Sequence, residues 1–295
     1  MLIKTVGDLD VAYSISGVDG APAVLLLHGW PDDASTWDRL VKCLTDAGFR
    51  TVVPSLRGFG DTRFRSKSAS RTGDPAILAM DAIGLMDALG IDRFAAVGHD
   101  WGSSIAEALA VGWPERISRM ALLSTSPRLG GLSTPSFEQS KLDWYHWFMA
   151  TSRGAEAVRK DPTGFAHRHW VDWGPPGWFE ENTFMQVSQA WTNPDWLDVT
   201  LHSYRSRWDE SPPDPRSVWL DAKVRATESL SLPVLIFQGA SDGVTAPNAL
   251  NDVHLKFSGS FELVTLEGVG HFPQREAPDA VLTILLPFLS VSETS

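Results

Sequence analysis

The sequence contains a single cysteine, Cys43, which excludes an internal disulfide and is typical of a protein from a reducing compartment. Positive charge is also scarce, because 25 Lys and Arg residues stand against 36 Asp and Glu residues, giving a formal net charge of -11. A chain this acidic is poorly suited to bind nucleic acid or an anionic membrane surface. We therefore expect neither as a partner.

Long apolar stretches are missing as well. The longest, residues 280–291, is too short to span a membrane and is interrupted by Pro287, so it predicts a terminal core helix. The first eight residues include Asp8 and lack the apolar core of a secretion signal. Together with the single cysteine, these absences predict a soluble protein located in the cytoplasm.

What the sequence does contain is an alternation of strand-like and helix-like segments. Such alternation predicts an α/β fold with a mostly parallel sheet covered by helices on both faces. The alternation stops between residues 128 and 230, where nine of the thirteen tryptophans lie. We therefore predict a core domain of residues 1–127 and 231–295, interrupted by an inserted helical cap of residues 128–230. Within the core, helices are expected at 35–47, capped by Ser35, and near 247–253.

The most informative segment is residues 98–102, with the sequence GHDWG. It follows an apolar run typical of a buried strand and precedes a segment typical of a helix start. Small residues on both sides of a central residue permit a very sharp strand-to-helix turn. This context predicts the nucleophile elbow of the α/β-hydrolase fold, with Asp100 in the position where serine usually lies.

An aspartate at this position indicates a particular chemistry. A carboxylate nucleophile is suited to displacement at a saturated carbon, which gives an alkyl ester that water then cleaves. The structural alternative is that Asp100 only caps the following helix, since Asp is a favoured capping residue. The two flanking glycines and the partners described next favour the nucleophile.

Two further segments supply candidate partners. Residues 28–31, HGWP, follow a predicted strand, where this fold places one backbone donor of an oxyanion hole. The residue after the nucleophile supplies the other, so the predicted donors are the backbone N–H groups of Trp30 and Trp101. Among eight histidines, His271 follows the last predicted strand and is the candidate base. Asp242, after the strand at 234–237, is the acid expected to orient it.

The chain resembles the α/β-hydrolase epoxide hydrolases and their dehalogenase relatives along almost its whole length. The motifs that carry the resemblance are HGWP at 28–31, RGFGD at 57–61, GHDWG at 98–102, Asp242, and GHFP at 270–273. The resemblance implies cofactor-independent hydrolysis through a covalent aspartyl ester. No metal site is expected, because the histidines lack ligand-like spacing to Cys or carboxylate residues.

Tyrosine favours epoxide hydrolysis over dehalogenation. The chain has only three tyrosines, and two of them, Tyr145 and Tyr204, lie in the predicted cap in contexts that resemble the paired cap tyrosines of epoxide hydrolases. Opening an epoxide creates a basic alkoxide, for which a neutral Tyr hydroxyl is a suitable proton donor. Simple packing of these side chains between cap and core is the structural alternative. His146 and Trp147, next to Tyr145, are predicted to contact the substrate together with Trp30 and Trp101.

Alternative functions stay open at this point. A haloalkane or haloacid dehalogenase would use the same aspartate, and residues 145–147 followed by Tyr204-Arg205 resemble fluoroacetate dehalogenases. Those enzymes hold the haloacid with arginines one and four positions after the nucleophile, where this chain has Trp101 and Ser104. Without that clamp, the expected substrate is an apolar epoxide, unless Arg168 or Arg205 enters the site. A non-catalytic ligand-binding protein is a further alternative, and the sequence does not predict the oligomeric state.

Overall fold

A parallel sheet flanked by helices forms the centre of the protein, as seen in a computed structural model that describes residues 1–125, 127–131, 134–245 and 249–291. The strands within these residues are β1 (Leu2–Val6), β2 (Leu9–Ser16), β3 (Ala23–Leu27), β4 (Arg50–Pro54), β5 (Arg63–Phe64), β6 (Phe94–His99), β7 (Ile117–Leu123), β8 (Val234–Gly239) and β9 (Phe261–Leu266).

Helices cover both faces of this sheet and fill the segment between β7 and β8. They are α1 (Asp38–Asp46), α2 (Pro75–Ala88), α3 (Trp101–Gly112), α4 (Phe137–Leu142), α5 (Trp144–Ala150), α6 (Ser152–Lys160), α7 (Pro162–Asp172), α8 (Glu181–Ser188), α9 (Trp196–Ser206), α10 (Val218–Ala226), α11 (Pro273–Glu276) and α12 (Pro278–Ser290). Within the described ranges, no helix is long and apolar enough to cross a membrane.

The strands follow the order β1-β2-β4-β3-β6-β7-β8-β9, with the short β5 paired to β2. Pairing is antiparallel at β1-β2, β2-β4 and β2-β5, and parallel from β4 to β9. The central strands are apolar on both sides, and all five residues of β3 are buried, as expected for a sheet covered on both faces. This confirms the predicted fold class. The carboxyl ends of β3, β6 and β8 lie at one edge, where loops bring distant residues together.

One local prediction about a helix was wrong, and a second falls partly on residues outside the described part of the chain. Ser35 does not cap a continuous helix, because a short 3₁₀ turn at Ala34–Trp37 precedes α1 and Asp33 caps that turn by accepting a hydrogen bond from the Ser35 backbone N–H. For the helix predicted near 247–253, residues 246–248 lie outside the described part of the chain. The residues that follow form turns and a 3₁₀ helix at Val253–Lys256.

Helices α4 to α10 lie between β7 and β8, within the segment predicted as an inserted cap. Aromatic side chains join these helices to the core. Trp30, in the loop after β3, stacks on Tyr145 of α5 with 5.9 Å between ring centroids and an interplanar angle of 5°. It also contacts Tyr204 of α9 edge to face at 5.3 Å. Trp173 and Trp196, from the segment between β7 and β8, also contact Trp30, so these tryptophans serve packing between cap and core. The exact limits 128 and 230 stay a prediction.

Candidate active site

The turn between β6 and α3 is sharp enough to require glycine on both sides of Asp100. A Cβ atom on Gly98 would lie 2.1 Å from the carbonyl oxygen of Gly102, and one on Gly102 would lie 2.0 Å from the carbonyl oxygen of Leu27. Asp100 itself has a positive φ of 50°, a conformation that non-glycine residues rarely adopt. Backbone strain at such a position is typical of functional sites. The capping alternative fails, because Asp100 makes no side-chain cap hydrogen bond to α3.

The two carboxylate oxygens of Asp100 lie in different surroundings. Oδ1 accepts a hydrogen bond of 2.8 Å from the backbone N–H of Trp30. Oδ2 lies 3.7 Å from Nε2 of His271, which is longer than a hydrogen bond. Burial alone would raise the pKa of Asp100, but its interaction with His271 holds the pKa below its ordinary value. Asp100 is therefore an ionised carboxylate with one oxygen held and the other free to react.

Trp101 is the first residue of α3 and lies directly beside this carboxylate in sequence. The first N–H groups of a helix have no partner within the helix, so they point outward as donors. This placement is compatible with the predicted second oxyanion donor. Its side chain has a different partner, because the indole Nε1–H donates to the hydroxyl oxygen of Tyr204 at 3.2 Å.

His271 and Asp242 form a buried pair next to Asp100. The imidazole Nδ1 lies 3.1 Å and 3.2 Å from the two carboxylate oxygens of Asp242. Asp242 also accepts hydrogen bonds from the Val244 backbone N–H at 2.7 Å and from Nε2 of Gln238 at 2.9 Å. The structure thus brings together three residues separated by 142 and 29 positions in the chain. Gln238 was not predicted, and its place near the end of β8, four positions before Asp242, gives no distinctive sequence signal.

The charge state of His271 follows from its two carboxylate neighbours. Burial is the largest single influence and lowers the pKa of His271, but the carboxylates of Asp242 and Asp100 together outweigh it and raise the pKa to about 10. With Asp100 ionised, His271 is an imidazolium at neutral pH. A general base must be neutral, so the imidazole can act as one only after the charge on Asp100 is removed.

Tyr145 and Tyr204 contact each other, and both lie near the carboxylate of Asp100. Both are buried, and their rings contact each other edge to face with 5.3 Å between centroids. Burial raises the pKa of both hydroxyls well above 10, and the negative charge of Asp100 raises it further in each case. The hydroxyls are therefore neutral proton donors that lie within electrostatic reach of the carboxylate.

His146 adds a third neutral donor. Its Nδ1 receives a 3.2 Å hydrogen bond from the indole Nε1–H of Trp208, and because an indole only donates, Nδ1 must be the acceptor. Burial, reinforced by the charges of Arg207 and Arg128, lowers the pKa of His146 well below 6.5, so the ring is neutral. The proton therefore lies on Nε2, which is buried and has no partner.

Trp147 lies elsewhere. Its side chain is 37% exposed, its indole N–H donates to the carbonyl oxygen of Ser140 at 3.0 Å, and its ring packs on Trp208 with 4.5 Å between centroids. Trp147 is not among the described residues that line the cavity at Asp100, and neither are Trp30, Trp101 and Tyr204. The predicted contact of Trp147 with substrate therefore has no counterpart in the cavity wall, because consecutive helix residues point in directions about 100° apart.

A cavity of about 460 Å³ opens onto Asp100 and is lined by residues from both core and cap. Its size falls in the range of small-molecule sites. Tyr145, His146 and Trp208 form part of its wall. Two arginines that the sequence interpretation missed, Arg128 and Arg207, also line it.

The two arginines that the sequence analysis considered do not line this cavity. Arg168 pairs with Asp172 on an exposed face of α7, and Arg205 donates to the carbonyl oxygen of Met149. Arg207 is two positions beyond Arg205, which brings its side chain to another side of the chain. The sequence alone does not indicate which of these arginines lines the cavity, because that depends on how the cap helices pack. Among the described residues, no group of three or more His, Cys, Asp or Glu side chains is placed to hold a metal ion.

Known proteins share this fold and are similar to the chain over almost its whole length. Residues 22–278 match the α/β hydrolase fold family. The sequence is 26% identical to epoxide hydrolase A of Mycobacterium tuberculosis, over 93% of this chain and 92% of that protein. It is 24% identical to a fluoroacetate dehalogenase of a Burkholderia species, over 97% and 92% of the two chains.

Among solved structures, one from Klebsiella pneumoniae that is provisionally described as an epoxide hydrolase superposes with a TM-score of 0.91. It is 32% identical in sequence, and the match covers 98% of this chain and 97% of that one. The chain therefore belongs to the α/β-hydrolase-fold family, among the epoxide hydrolases and their relatives.

Proposed function

We propose that this protein hydrolyses an epoxide to a vicinal diol through a covalent ester on Asp100. The observation that carries the proposal is the pair of buried, neutral hydroxyls of Tyr145 and Tyr204 near an ionised carboxylate. An oxirane needs a nucleophile at carbon and a proton donor at oxygen in the same step. These three side chains supply both.

In the first step, Oδ2 of Asp100 attacks a ring carbon and the C–O bond of the oxirane breaks. Oδ2 is the attacking atom because Oδ1 is held by the Trp30 backbone N–H. The departing oxygen takes a proton from Tyr145 or Tyr204 and becomes the first hydroxyl of the diol. The tyrosine regains a proton from solvent, so this step consumes one proton.

In the second step, water attacks the ester carbonyl carbon of Asp100. Esterification removes the negative charge of Asp100, which is one of the influences that raise the pKa of His271. His271 then loses its proton more readily and accepts one from the attacking water, while Asp242 holds the imidazole through Nδ1. The oxyanion forms at Oδ1, beside the backbone donor of Trp30 and next to Trp101. The intermediate collapses as the bond between the carbonyl carbon and Oδ2 breaks, and the second proton of the attacking water passes to the departing Oδ2, which becomes the second hydroxyl of the diol. Asp100 is restored as a carboxylate, and the proton that His271 lost to solvent balances the one consumed in the first step.

The hydrogen bonding of Trp101 favours an epoxide over an organohalide. The resemblance to haloalkane dehalogenases implies that the indole N–H after the nucleophile would hold the departing halide. Here that N–H already donates to the Tyr204 hydroxyl, which directs the hydroxyl proton away from the indole. A halide is a weak base and needs no proton, whereas an alkoxide does. His146, with its unpartnered Nε2–H, is proposed as a further substrate contact.

The aromatic rings of Tyr145 and Trp208 in the cavity wall are compatible with an apolar substituent on the oxirane, as the sequence predicts. A wholly apolar substrate was expected only if no arginine entered the site. Because Arg207 lines the cavity, the substrate need not be wholly apolar. A cytoplasmic location is proposed on the basis of the single cysteine.

One single-turnover experiment tests the covalent path. Excess enzyme reacts with styrene oxide in H₂¹⁸O, and the diol and the peptide containing Asp100 are analysed by mass spectrometry. The proposal predicts unlabelled diol and an Asp100 carboxylate that carries the label, because water attacks the enzyme's ester. Labelled diol from the first turnover would refute it. Parallel assays with 1-chlorobutane and fluoroacetate should release no halide, and halide release without diol formation from epoxides would overturn the assignment.

A further inference from the structure

Two positively charged side chains share the cavity wall with Asp100. Arg128 lies in the loop that follows β7, and Arg207 directly follows α9 of the cap. Both are half-buried. The guanidinium carbon of Arg207 lies 5.3 Å from the ring centre of Tyr204, and the Nε of Arg207 is buried without a hydrogen-bond partner.

Neither guanidinium has a carboxylate partner within ion-pair distance in the part of the chain that the structure describes. Glu107 lies close to Arg128, but both of its carboxylate oxygens accept from the Arg128 backbone N–H, at 2.9 Å each. Asp221, another neighbour of Arg128, is paired with Arg225 at 2.7 Å. The carboxylates near the guanidinium of Arg128 are thus engaged elsewhere.

The two arginines also act on each other. Burial, followed by the positive charge of Arg207, lowers the pKa of Arg128 to about 10. Two like charges in a partly dehydrated cavity raise the free energy of the empty site. An anion placed between them would relieve that cost and would fill the open donor on Arg207.

Apart from Asp100, the other charged side chains that line the cavity have other hydrogen-bond partners or lie at its edge. Lys256 donates its ammonium protons to the carbonyl oxygens of Pro127 and Leu129. Asp143 accepts a hydrogen bond from Gln139 and is not within ion-pair distance of Arg207; burial raises its pKa to about 6, against the lowering effects of that hydrogen bond and of the positive charge of Arg207. Asp252 is exposed at the edge of the cavity.

We propose that Arg128 and Arg207 form an anion subsite, which binds a carboxylate carried by the substrate at a position remote from its oxirane ring. This inference rests on the proposed epoxide hydrolysis. Asp100 lines the same cavity and is ionised, so a carboxylate attached directly to the ring would be repelled. A carboxylate at the far end of the substrate would meet the two guanidiniums instead, and would orient the ring toward Asp100.

The test compares two substrates that differ only in charge: 4-(oxiran-2-ylmethoxy)benzoate and its methyl ester. The wild type should show a higher kcat/KM for the acid. Arg207→Gln and Arg128→Gln should each lower the acid-to-ester ratio of kcat/KM about 10- to 100-fold, as expected for a hydrogen-bonded charge pair. Arg207→Lys should retain part of the ratio, since it keeps the charge. Using the ratio removes any effect of a variant that is common to both substrates.

Arg168→Gln is the matched control, because it removes one positive charge from the cap on an exposed helix face. It should leave the ratio unchanged. An acid-to-ester ratio at or below one in the wild type, or one that survives both cavity substitutions, would overturn the subsite.

A binding measurement separates this inference from the proposed reaction. Calorimetric titration with the diol acid 4-(2,3-dihydroxypropoxy)benzoate requires no turnover and should show binding by the wild type that Arg207→Gln weakens about 10-fold or more. If neither epoxide is hydrolysed but this loss occurs, the subsite stands and the proposed reaction fails. If both epoxides are hydrolysed and the diol acid binds wild type and Arg207→Gln alike, the reaction stands and the subsite fails.

Discussion

Replacing Asp100 with asparagine should convert His271 from an imidazolium that is fully charged at neutral pH into a group that titrates near neutral pH. Asparagine is neutral and similar in shape, so it imitates the charge of the esterified aspartate. In the native protein Oδ2 of Asp100 lies 3.7 Å from Nε2 of His271, and the pKa of His271 is raised to about 10. The variant therefore isolates the electrostatic switch on which the second chemical step depends.

The size of the effect follows from that distance. Two unit charges 3.7 Å apart attract with about 4 kcal/mol at an effective dielectric constant of about 20. Because 1.36 kcal/mol corresponds to one pH unit, removal of the charge on Asp100 should move the titration of His271 down by about three pH units. That change brings the imidazole into the range where a general base works best at physiological pH.

The measurement is an NMR titration of histidine ring carbons between pH 5 and 11, with His271 assigned from its absence in His271→Gln. Asp143→Asn is the matched control, since it removes a carboxylate that lines the same cavity but does not contact His271. The control should leave the titration of His271 in place. A shift of less than half a pH unit in Asp100→Asn would refute the argument that esterification activates the base.

Three other outcomes are expected. His271→Gln should form the ester but not hydrolyse it, so intact-mass analysis after addition of an epoxide should show the mass of enzyme plus substrate, and an unmodified mass would count against a covalent path. Tyr145→Phe or Tyr204→Phe should each reduce kcat, and the double variant should lose about 10²- to 10⁴-fold, the usual worth of general acid catalysis; near-native turnover by the double variant would contradict the assignment of the proton donors. Acid should also destabilise the fold, because burial lowers the pKa of His28 and of His99 to about 4. The stability that each contributes by staying neutral is present above pH 6.5 and is lost as the pH falls toward 4, by about 3 kcal/mol for each histidine. The contribution of His271 has the opposite sign and is complete below pH 6.5, so it does not mask the loss. Buried carboxyl groups with a raised pKa, such as Asp33 at about 6 and Glu107 at about 7, gain stability over the same range and oppose the loss. An NMR titration of the histidine rings therefore measures the two groups directly: His28 and His99 should titrate near pH 4, and a midpoint near 6.5 for either would show that it does not resist protonation.

Much of the site could be predicted from short sequence segments. The GHDWG segment predicts the elbow because two glycines two positions from Asp100 are needed where backbones approach within about 2 Å of a would-be Cβ, and the structure has those contacts. The positions of His271 and Asp242 follow from the order of strands, since loops at the carboxyl ends of parallel strands meet at one edge. These constraints act over a few residues or through a fixed topology.

Other features depend on contacts between residues distant in the chain. Ser35 has a capping side chain, yet Asp33 caps the turn, and the Ser35 hydroxyl accepts a hydrogen bond from Arg275, 240 positions away in the chain. Trp147 is adjacent to a cavity residue in sequence, but the rotation of α5 places it on the partly exposed side against Trp208. The local sequence pattern predicts neither outcome.

The sequence by itself determined the fold class, the strand-to-helix turn that presents Asp100, and the scarcity of tyrosine that singles out Tyr145 and Tyr204. The tertiary structure decided how the cap lies on the core, and therefore which side chains face the nucleophile. That packing gave Tyr204 the indole of Trp101 as its partner and placed Arg207, rather than Arg168 or Arg205, in the cavity. The physical reason is the distance along the chain over which the interactions act. The glycine turn and the pattern of strands depend on residues close together in sequence. A cavity between cap and core depends on many contacts between residues far apart in sequence.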